Sequence, residues 1–433
     1  MRFGVNYTPP TGWFHSWLDF SPSDVARDFE QIASLGVDHV RIFPLWPLLQ
    51  PNRTLVRTSG IDDVVRVIDI AAEFGLDVNV DALQGHLSSF DFLPAWLDTW
   101  HRRNMFTDRD VVASIADYVR RLATAIADRP NLLGVTLGNE LNQFAYAPHP
   151  APHELTAADG SEWLETMVAA AREGLGRVAP DAGVTVAQYD AAWYDDAQPF
   201  GPAHAADFGD QTVTHSWVFN GSAQLHGPLG DGSVRHAEYL MQLAAAWNRR
   251  ADRANWLQEV GAPTNVIPTR DAADFIERTI RHAATVQNTF GITWWCSHDV
   301  SRTLADFPEL EYDLGLFTND GRLKPTGERF RDLVGELRDA PAGPAVEDAL
   351  VLHDVDDDGD PVPGMRESCA PGGAFSQAWL HRAREIGRGP QVVLRSRAYD
   401  AALLTARGVT KLHDVPATAT ATSMTVAHPA TGF

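Results

Sequence analysis

The feature that most constrains the fold is an alternation of short apolar segments with longer segments of helical period, which runs from residue 2 to about residue 340. Short β-branched or apolar runs are typical of strands, and an apolar period of three to four residues is typical of amphipathic helices. Strands are predicted at 2–7, 38–43, 76–81, 132–137, 183–187, 211–217, 254–258 and 291–295. Eight strands that alternate with helices through right-handed crossovers predict an α/β protein with a (β/α)8 TIM barrel.

The helical segments between the predicted strands have sequence signals at their ends. Ser21 is predicted as an N-cap with Pro22 at the first helical position, and Gly36 and Gly75 are predicted to end helices. Further helices are predicted near 61–74, 108–128, 161–178, 234–249, 272–285 and 326–337, and a poorly defined helical segment around 203–208. Two doubly wound domains would have the same alternation, but no glycine-rich phosphate loop follows a predicted strand, which favours the barrel.

The composition changes after about residue 340, where the linker-like segment 339–344 is rich in alanine and proline. Residues 1–340 are therefore predicted to form the barrel, and 345–415 a small βαβαβ domain, a C-terminal α/β appendage. Its strands are predicted at 349–352, 391–394 and 409–412, and its helices at 375–386 and 398–407. The tail 416–433, rich in alanine and threonine, is expected to be frayed or to lie over another surface.

The charge and the cysteine count exclude several classes of partner. A formal net charge of −22 at pH 7 argues against nucleic acid and anionic membranes, because both would repel the chain. No apolar run approaches the roughly 18 residues that a membrane span needs. The N-terminal residues resemble a strand rather than a secretory signal, and two cysteines, Cys296 and Cys369, are too few for a disulfide framework. A cytoplasmic protein is expected, and the sequence indicates no oligomeric state.

The acidic segment 354–360 resembles the start of a calcium-binding loop. The twelfth position of such a loop would be Met365 rather than the bidentate glutamate, and the flanking helices are not predicted. A solvated acidic turn is therefore favoured over a calcium site, and neither a metal nor a cofactor is expected.

Two glutamates stand at the ends of predicted strands. Glu140 follows the fourth strand and Glu259 follows the seventh. Functional side chains of such barrels lie at the C-terminal ends of the strands, so these two are expected to face each other across the mouth. Cleavage of a glycoside with retention needs two carboxyl groups about 5–5.5 Å apart, one as acid/base and one as nucleophile. An ordinary surface glutamate on a loop is the alternative for either residue alone.

These motifs resemble the retaining (β/α)8-barrel glycoside hydrolases of family 5, in clan A. The resemblance rests on Asn139-Glu140 after an apolar strand and on Glu259-Val-Gly261 after a later one, and its coverage extends from residue 2 to about residue 340. It implies that Glu140 is the acid/base and Glu259 the nucleophile of a double displacement that needs no cofactor.

The same resemblance implies a set of residues that support the nucleophile or bind the sugar, namely Arg41, His86, Asn139, His215, Trp217 and Trp295. A buried Arg41 would keep Glu259 ionised. Trp217 stands where the family usually has a tyrosine that hydrogen-bonds the nucleophile, and an indole N–H can donate such a bond but cannot accept one. Trp294 and Trp295 are expected on opposite faces of a strand, with Trp295 in the cavity. Arg41 as a structural ion-pair partner and His215 as a core histidine stay open as alternatives.

The function expected from this resemblance is that of an exo-acting β-mannosidase, which hydrolyses terminal β-mannosides of short oligosaccharides such as Man-β-1,4-GlcNAc or manno-oligosaccharides. The predicted loops at 8–19, 84–105 and 141–160 are long enough to close one end of a cleft. One alternative is an endo-β-mannanase or β-glucanase with an open cleft. Another is a non-catalytic barrel that binds carbohydrate.

Overall fold

The computed structural model describes residues 1–146, 149–340 and 343–415. Eight parallel strands form one sheet in the order β5-β4-β3-β2-β1-β8-β7-β6. The strands are β1 Arg2–Asn6, β2 His39–Ile42, β3 Asp77–Asp81, β4 Leu132–Thr136, β5 Gly183–Thr185, β6 Thr212–Ser216, β7 Asn255–Val260 and β8 Thr289–Trp294. The sheet curls so that its edge strands β5 and β6 approach, and the backbone N–H of Asp210 donates to the carbonyl of Val184 (2.8 Å). The predicted barrel is confirmed, and two separate doubly wound domains are excluded by the single sheet.

Eight helices connect these strands or follow the last one. They are α1 Pro22–Ala33, α2 Thr58–Glu73, α3 Arg109–Ile126, α4 Ala157–Leu175, α5 Pro202–Asp207, α6 His236–Trp247, α7 Ala272–Ala283 and α8 Pro325–Leu337. The hydroxyl of Ser21 caps α1, as predicted. Helix α4 begins four residues before its predicted start, because Thr156 and Asp159 form a capping box there. Every helix in the described part of the chain is too short or too polar to cross a lipid bilayer.

The loops that follow the C-terminal ends of the strands carry short elements of their own. These are helical turns at Trp13–Trp17, Trp46–Leu49, Leu141–Ala145, Ala191–Tyr194, Ser222–His226, Asp231–Val234, Thr269–Asp271 and Glu309–Asp313, and an antiparallel pair, His86–Leu87 with Phe90–Asp91. Periodicity over so few residues gives no sequence signal, so these elements were not predicted. They build the walls around the barrel mouth.

A second, three-stranded parallel sheet follows the barrel. Its strands are β9 Asp348–Leu352, β10 Gln391–Leu394 and β11 Lys411–Asp414, in the order β10-β9-β11. Its helices are α9 Met365–Cys369, α10 Ala374–Ile386 and α11 Ala401–Ala406. We call residues 343–415 the C-terminal unit. The acidic segment 354–360 is a turn in which the Asp356 carboxylate accepts from the backbone N–H of Asp358 and Asp360, both at 2.9 Å. The predicted tail at 416–433 lies outside the described residues.

The C-terminal unit packs on the barrel through an apolar cluster. Trp193, from the loop after β5, and Tyr239, on α6, belong to the same buried cluster as Leu350, Phe375 and Trp379 of the C-terminal unit. Large aromatic side chains bury much apolar area per residue, so this cluster holds the two parts together by the hydrophobic effect. The C-terminal unit therefore covers the side of the barrel at β5 and β6.

Candidate active site

Glu140 lies on a sharp turn just beyond β4. Its backbone adopts a left-handed conformation (φ 47°), which is costly for a residue with a side chain and persists only where the surroundings enforce it. Gly138 makes the turn possible, because a Cβ at that position would lie 2.5 Å from the carbonyl oxygen of Leu83. Asn142 fixes the far side of the turn: its amide accepts from the N–H of Tyr189 (2.7 Å) and donates to the carbonyl of Tyr189 (3.2 Å).

Glu259 lies inside β7, which is longer than the predicted strand. Its neighbour Gln258 is an extra residue in the pairing with β6, where Leu257 faces Thr214 and Glu259 faces His215. This bulge breaks the alternation of side chains, so that Gln258 and Glu259 both project into the barrel. There the Gln258 amide donates to the hydroxyl of Thr136 on β4 (3.0 Å).

The Glu259 carboxylate receives one hydrogen bond from β2 and one from the residue just after β6, the strand that pairs with β7. Arg41 on β2 donates to Oε1 at 2.7 Å, and the indole N–H of Trp217, just after β6, donates to Oε2 at 3.3 Å. Trp217 therefore makes the contact expected of the tyrosine that it replaces. The Nδ1 atom of His215 is 3.4 Å from the same Oε2.

The Glu140 carboxylate is held by different partners. Nδ1 of His215 is 2.8 Å from Oε1, and the side-chain amide of Gln143 donates to Oε2 at 2.7 Å. His215 thus bridges the two glutamates. One carboxylate oxygen of Glu140, one of Glu259 and a ring nitrogen of His215 lie within 4.8 Å of one another. This spacing allows both carboxyl groups to reach the same anomeric carbon.

Arg41 is the centre of a buried polar network. Its side chain is fully buried, and its guanidinium also donates to Asp81 (3.1 Å from Nε) and to Oδ1 of Asn139 (2.8 Å). The Asn139 amide group donates one of its two N–H groups to the carbonyl of His86 (2.7 Å), which leaves the other for a ligand hydroxyl. Burial raises the pKa of Asp81 to about 7, although the positive charge of Arg41 acts to lower it.

The protonation of the two glutamates is coupled through His215. Burial lowers the pKa of His215, but the charges of Glu259 and Glu140 outweigh burial and raise it above its ordinary value. Burial acts to raise the pKa of Glu140, but the hydrogen bond and charge of His215 outweigh it and lower that pKa. Burial raises the pKa of Glu259, although the charges of His215 and Arg41 oppose the rise. The three groups therefore titrate as a coupled unit rather than independently.

The two tryptophans at the end of β8 pack against different neighbours. Trp294 packs outward against Phe330 of α8, with ring centroids 6.2 Å apart. Trp295 packs on the other side, 5.7 Å from the ring of Phe43 and 6.4 Å from that of Trp217, which hydrogen-bonds Glu259. Trp295 is thus an apolar face beside the two carboxylates, suited to the C–H face of a sugar.

His86 is at the rim rather than among the hydrogen-bonded residues of the centre. It lies in the loop after β3, its side chain is 24% exposed, and its Nδ1 is 3.1 Å from Asp91. The structure brings the other predicted site residues together around Glu259, whereas His86 joins them through its backbone carbonyl to Asn139.

Sequence reasoning missed several residues of this site, among them Asp81, Gln143 and Glu311. Asp81 ends β3 and could have been found by the rule that located the two glutamates. Glu311 comes from a helical turn far along the chain, with no local signal. Its carboxylate accepts from Ser88 (2.8 Å), and burial, with the nearby charges of Glu259 and Glu140 adding to it, raises its pKa to about 7.

The donor atoms of Glu140, His215 and Glu259 are close enough together to bind a metal ion. The charge around them argues against it, because the Arg41 guanidinium already occupies Oε1 of Glu259. His215 is also hydrogen-bonded to Glu140. Two carboxylates this close together, one hydrogen-bonded by His215 and the other by Arg41, are chemically able to act as an acid/base and a nucleophile at one carbon.

Comparison with known proteins supports this interpretation. No family model and no curated protein sequence matches the chain. Among solved structures, a GH5_18 protein from Streptomyces cattleya in complex with Manβ1-4GlcNAc is 51% identical, with a TM-score of 0.91 over 95% of this chain and 98% of that one. The chain belongs to GH5_18, a division of glycoside hydrolase family 5. It is therefore a glycoside hydrolase.

Two further solved structures are similar to this chain. A GH5_18 protein from Bifidobacterium longum subsp. infantis is 46% identical, with a TM-score of 0.90 over 96% of each chain. An exo-β-1,4-mannosidase from Opitutaceae bacterium strain TAV5 is 23% identical, with a TM-score of 0.72 over 91% of this chain and 69% of that one, and shares the fold. The high coverage shows that the GH5_18 similarity includes the C-terminal unit.

Proposed function

We propose that this GH5_18 enzyme is an exo-acting β-mannosidase that hydrolyses Man-β-1,4-GlcNAc and similar short oligosaccharides with retention of configuration. The observation that carries the proposal is the pair of buried carboxylates, Glu140 and Glu259, with one oxygen of each within 4.8 Å of the other. The substrate follows from the relatives, because the Streptomyces cattleya structure and one from Bifidobacterium longum subsp. longum contain Manβ1-4GlcNAc.

In the first step, an oxygen of Glu259 forms a bond to the anomeric carbon as the glycosidic C–O bond breaks. The leaving oxygen takes a proton from Glu140. That proton comes from the unit that Glu140 forms with His215, whose Nδ1 is 2.8 Å from Oε1. Arg41 and Trp217 hold the two oxygens of Glu259 in place, so that little reorganisation is needed for attack.

In the second step, Glu140 takes a proton from a water molecule, whose oxygen bonds to the anomeric carbon and displaces Glu259. The two inversions together retain the β configuration. Asp81 balances the charge of Arg41 after Glu259 has become a neutral ester, since the guanidinium contacts both carboxylates.

Contacts between loops favour exo-action over an open cleft. The ring of Trp13, from the loop after β1, lies 4.7 Å from Phe307 and 5.5 Å from Phe90, which belong to the loops after β8 and β3. Ser88 donates to Glu311 (2.8 Å), which links the last two loops again. Loops joined in this way restrict one end of the mouth, whereas an endo-acting enzyme needs both ends open.

The proposal also covers the cellular location of the enzyme, which we propose is the cytoplasm, and the division of the chain into domains. A cytoplasmic enzyme would act on short oligosaccharides after their import, and the two buried free cysteines suit a reducing compartment. We also propose the barrel at 1–340 and the C-terminal domain at 345–415 as the two domains.

The test compares wild type, Glu259→Gln and the control Glu165→Gln, an exposed glutamate on α4. Substrates are aryl β-mannoside, β-glucoside, β-galactoside and β-N-acetylglucosaminide, Man-β-1,4-GlcNAc and polymeric mannan. We expect wild type and control to release mannose from the mannosides, first as the β anomer by NMR, and Glu259→Gln to bind without hydrolysis. First release of the α anomer, internal cleavage of mannan, or sugar binding by wild type without hydrolysis would each overturn the proposal.

A further inference from the structure

The loop between β5 and α5 connects the active site with the C-terminal unit. We call residues 186–201 the β5 loop. One end of it, at Tyr189, is hydrogen-bonded to Asn142 of the Glu140 turn. Its other end contacts α9 of the C-terminal unit, so the loop lies between the two.

Arg366 on α9 binds this loop with every donor of its guanidinium. Nη1 donates to the carbonyls of Ala192 and Phe200, both at 3.2 Å. Nη2 donates to the carbonyls of Asp196 (2.8 Å) and Gln198 (2.9 Å), and Nε donates to the Asp196 carboxylate (3.2 Å). A guanidinium has five N–H groups in a rigid fork, so this set of acceptors uses its whole capacity.

The loop binds back to the C-terminal unit through Asp196. Its carboxylate accepts from the backbone N–H groups of Gly364 (2.6 Å) and Arg366 (3.1 Å) at the start of α9. Its own N–H donates to Glu367 (3.1 Å). The contact is therefore reciprocal, and it fixes the loop by its backbone rather than by one side chain.

The β5 loop also contacts the turn that carries Glu140, so restricting the loop restricts this turn as well. Gln198, whose carbonyl Arg366 binds, donates through its side chain to the carbonyl of Asn142 (3.2 Å). Asn142 stands two residues after Glu140, whose left-handed backbone needs support from its surroundings. Glu259, by contrast, is held from β2 and β6 by Arg41 and Trp217.

We propose that Arg366 is a positioning residue for proton transfer: it fixes the β5 loop, and through Gln198 and Asn142 it holds Glu140 in the geometry needed to protonate the leaving group. The C-terminal unit is then part of the catalytic architecture rather than an independent module. This inference rests on the proposed role of Glu140 as acid/base.

The consequence that separates positioning from general stability is leaving-group dependence. A 2,4-dinitrophenolate departs without protonation, whereas the sugar of Man-β-1,4-GlcNAc needs the acid. General acid catalysis contributes roughly 10²–10⁴-fold. A displaced Glu140 therefore lowers kcat/KM for the disaccharide far more than for 2,4-dinitrophenyl β-mannoside.

The experiment measures kcat/KM on both substrates for wild type, Arg366→Ala, Arg366→Lys, Glu140→Ala and the control Arg384→Ala. Arg384 also joins the C-terminal unit to the barrel, at Asp231 (2.9 Å), but away from the β5 loop. The ratio of the two values is taken within one preparation, so a partly unfolded sample does not affect it. We expect both Arg366 variants to lower the disaccharide-to-aryl ratio by about tenfold or more, and Arg384→Ala to leave it unchanged.

The outcomes distinguish the two proposals. If Glu140→Ala does not lower the ratio, Glu140 is not the acid and the proposed function fails. If Glu140→Ala lowers it but both Arg366 variants leave it unchanged, Arg366 contributes only stability and the positioning role is refuted. A fall in the ratio for Arg384→Ala as large as that for Arg366→Ala would refute it as well.

Discussion

The hydrogen bond from Gln143 to Glu140 gives a prediction whose sign follows from the structure. The amide N–H of Gln143 is 2.7 Å from Oε2 of Glu140 and stabilises the ionised carboxylate, in addition to the larger effects of burial and His215. Replacing it in Gln143→Met keeps the length of the side chain and removes the donor. The pKa of Glu140 must then rise.

A hydrogen bond to a charged group contributes about 1.5–3 kcal/mol. We take the lower end, because Gln143 is only partly buried. Since one pKa unit corresponds to about 1.4 kcal/mol, the expected shift is about 1 pH unit. Because Glu140 and His215 titrate together, the basic limb of the kcat/KM profile records proton loss from the pair, so this limb moves upward by up to that amount.

The assay is kcat/KM for Man-β-1,4-GlcNAc across the pH range in which the enzyme is folded, because this substrate requires the acid. The control is Gln377→Met, at an exposed position on α10, which should reproduce the wild-type profile. If the basic limb of Gln143→Met stays in place or moves to lower pH, Glu140 is not the acid whose ionised form this amide stabilises, and the assignment is refuted.

Three further predictions concern the nucleophile and the turn. Because burial raises the pKa of Glu259 above 4.5, kcat/KM should fall as the pH drops through a value above 4.5, and an acid limb at or below 4.5 would contradict this. Trp217→Phe removes the indole donor to Glu259 and should lower kcat/KM about tenfold, on activated and natural mannosides alike. Trp217→Tyr should have a kcat/KM closer to that of wild type, because its hydroxyl can donate in place of the indole. Equal activity of the Phe and Tyr variants would contradict this prediction. Gly138→Ala places a Cβ 2.5 Å from the Leu83 carbonyl oxygen and should lower the free energy of unfolding by about 1–3 kcal/mol. Urea denaturation measures this change, and the control is Gly335→Ala, where no atom lies within 4 Å of the added Cβ.

The barrel could be predicted because its signal is local. The hydrophobic period of each strand and each long helix can be recognised within a short stretch of sequence. Because crossovers between parallel strands are right-handed, few topologies are compatible with that order of elements. The same logic located Glu140 and Glu259, since barrel strands point their C-terminal ends to one mouth. The walls of that mouth could not be predicted in this way, because turns such as Glu309–Asp313 are too short to have a period.

The sequence by itself determined the alternation of strands and helices, the chain positions of the two glutamates and the resemblance that connects them with glycoside cleavage. Only the tertiary structure decided how these groups behave. The bulge at Gln258 turns Glu259 inward, and the fold brings His215 between the two carboxylates, within hydrogen-bond distance of Glu140. Arg366 approaches the β5 loop from a part of the chain about 170 residues away. Such contacts depend on distances between segments remote in sequence, and a charge acquires its pKa only when water has been removed and its neighbours are in place.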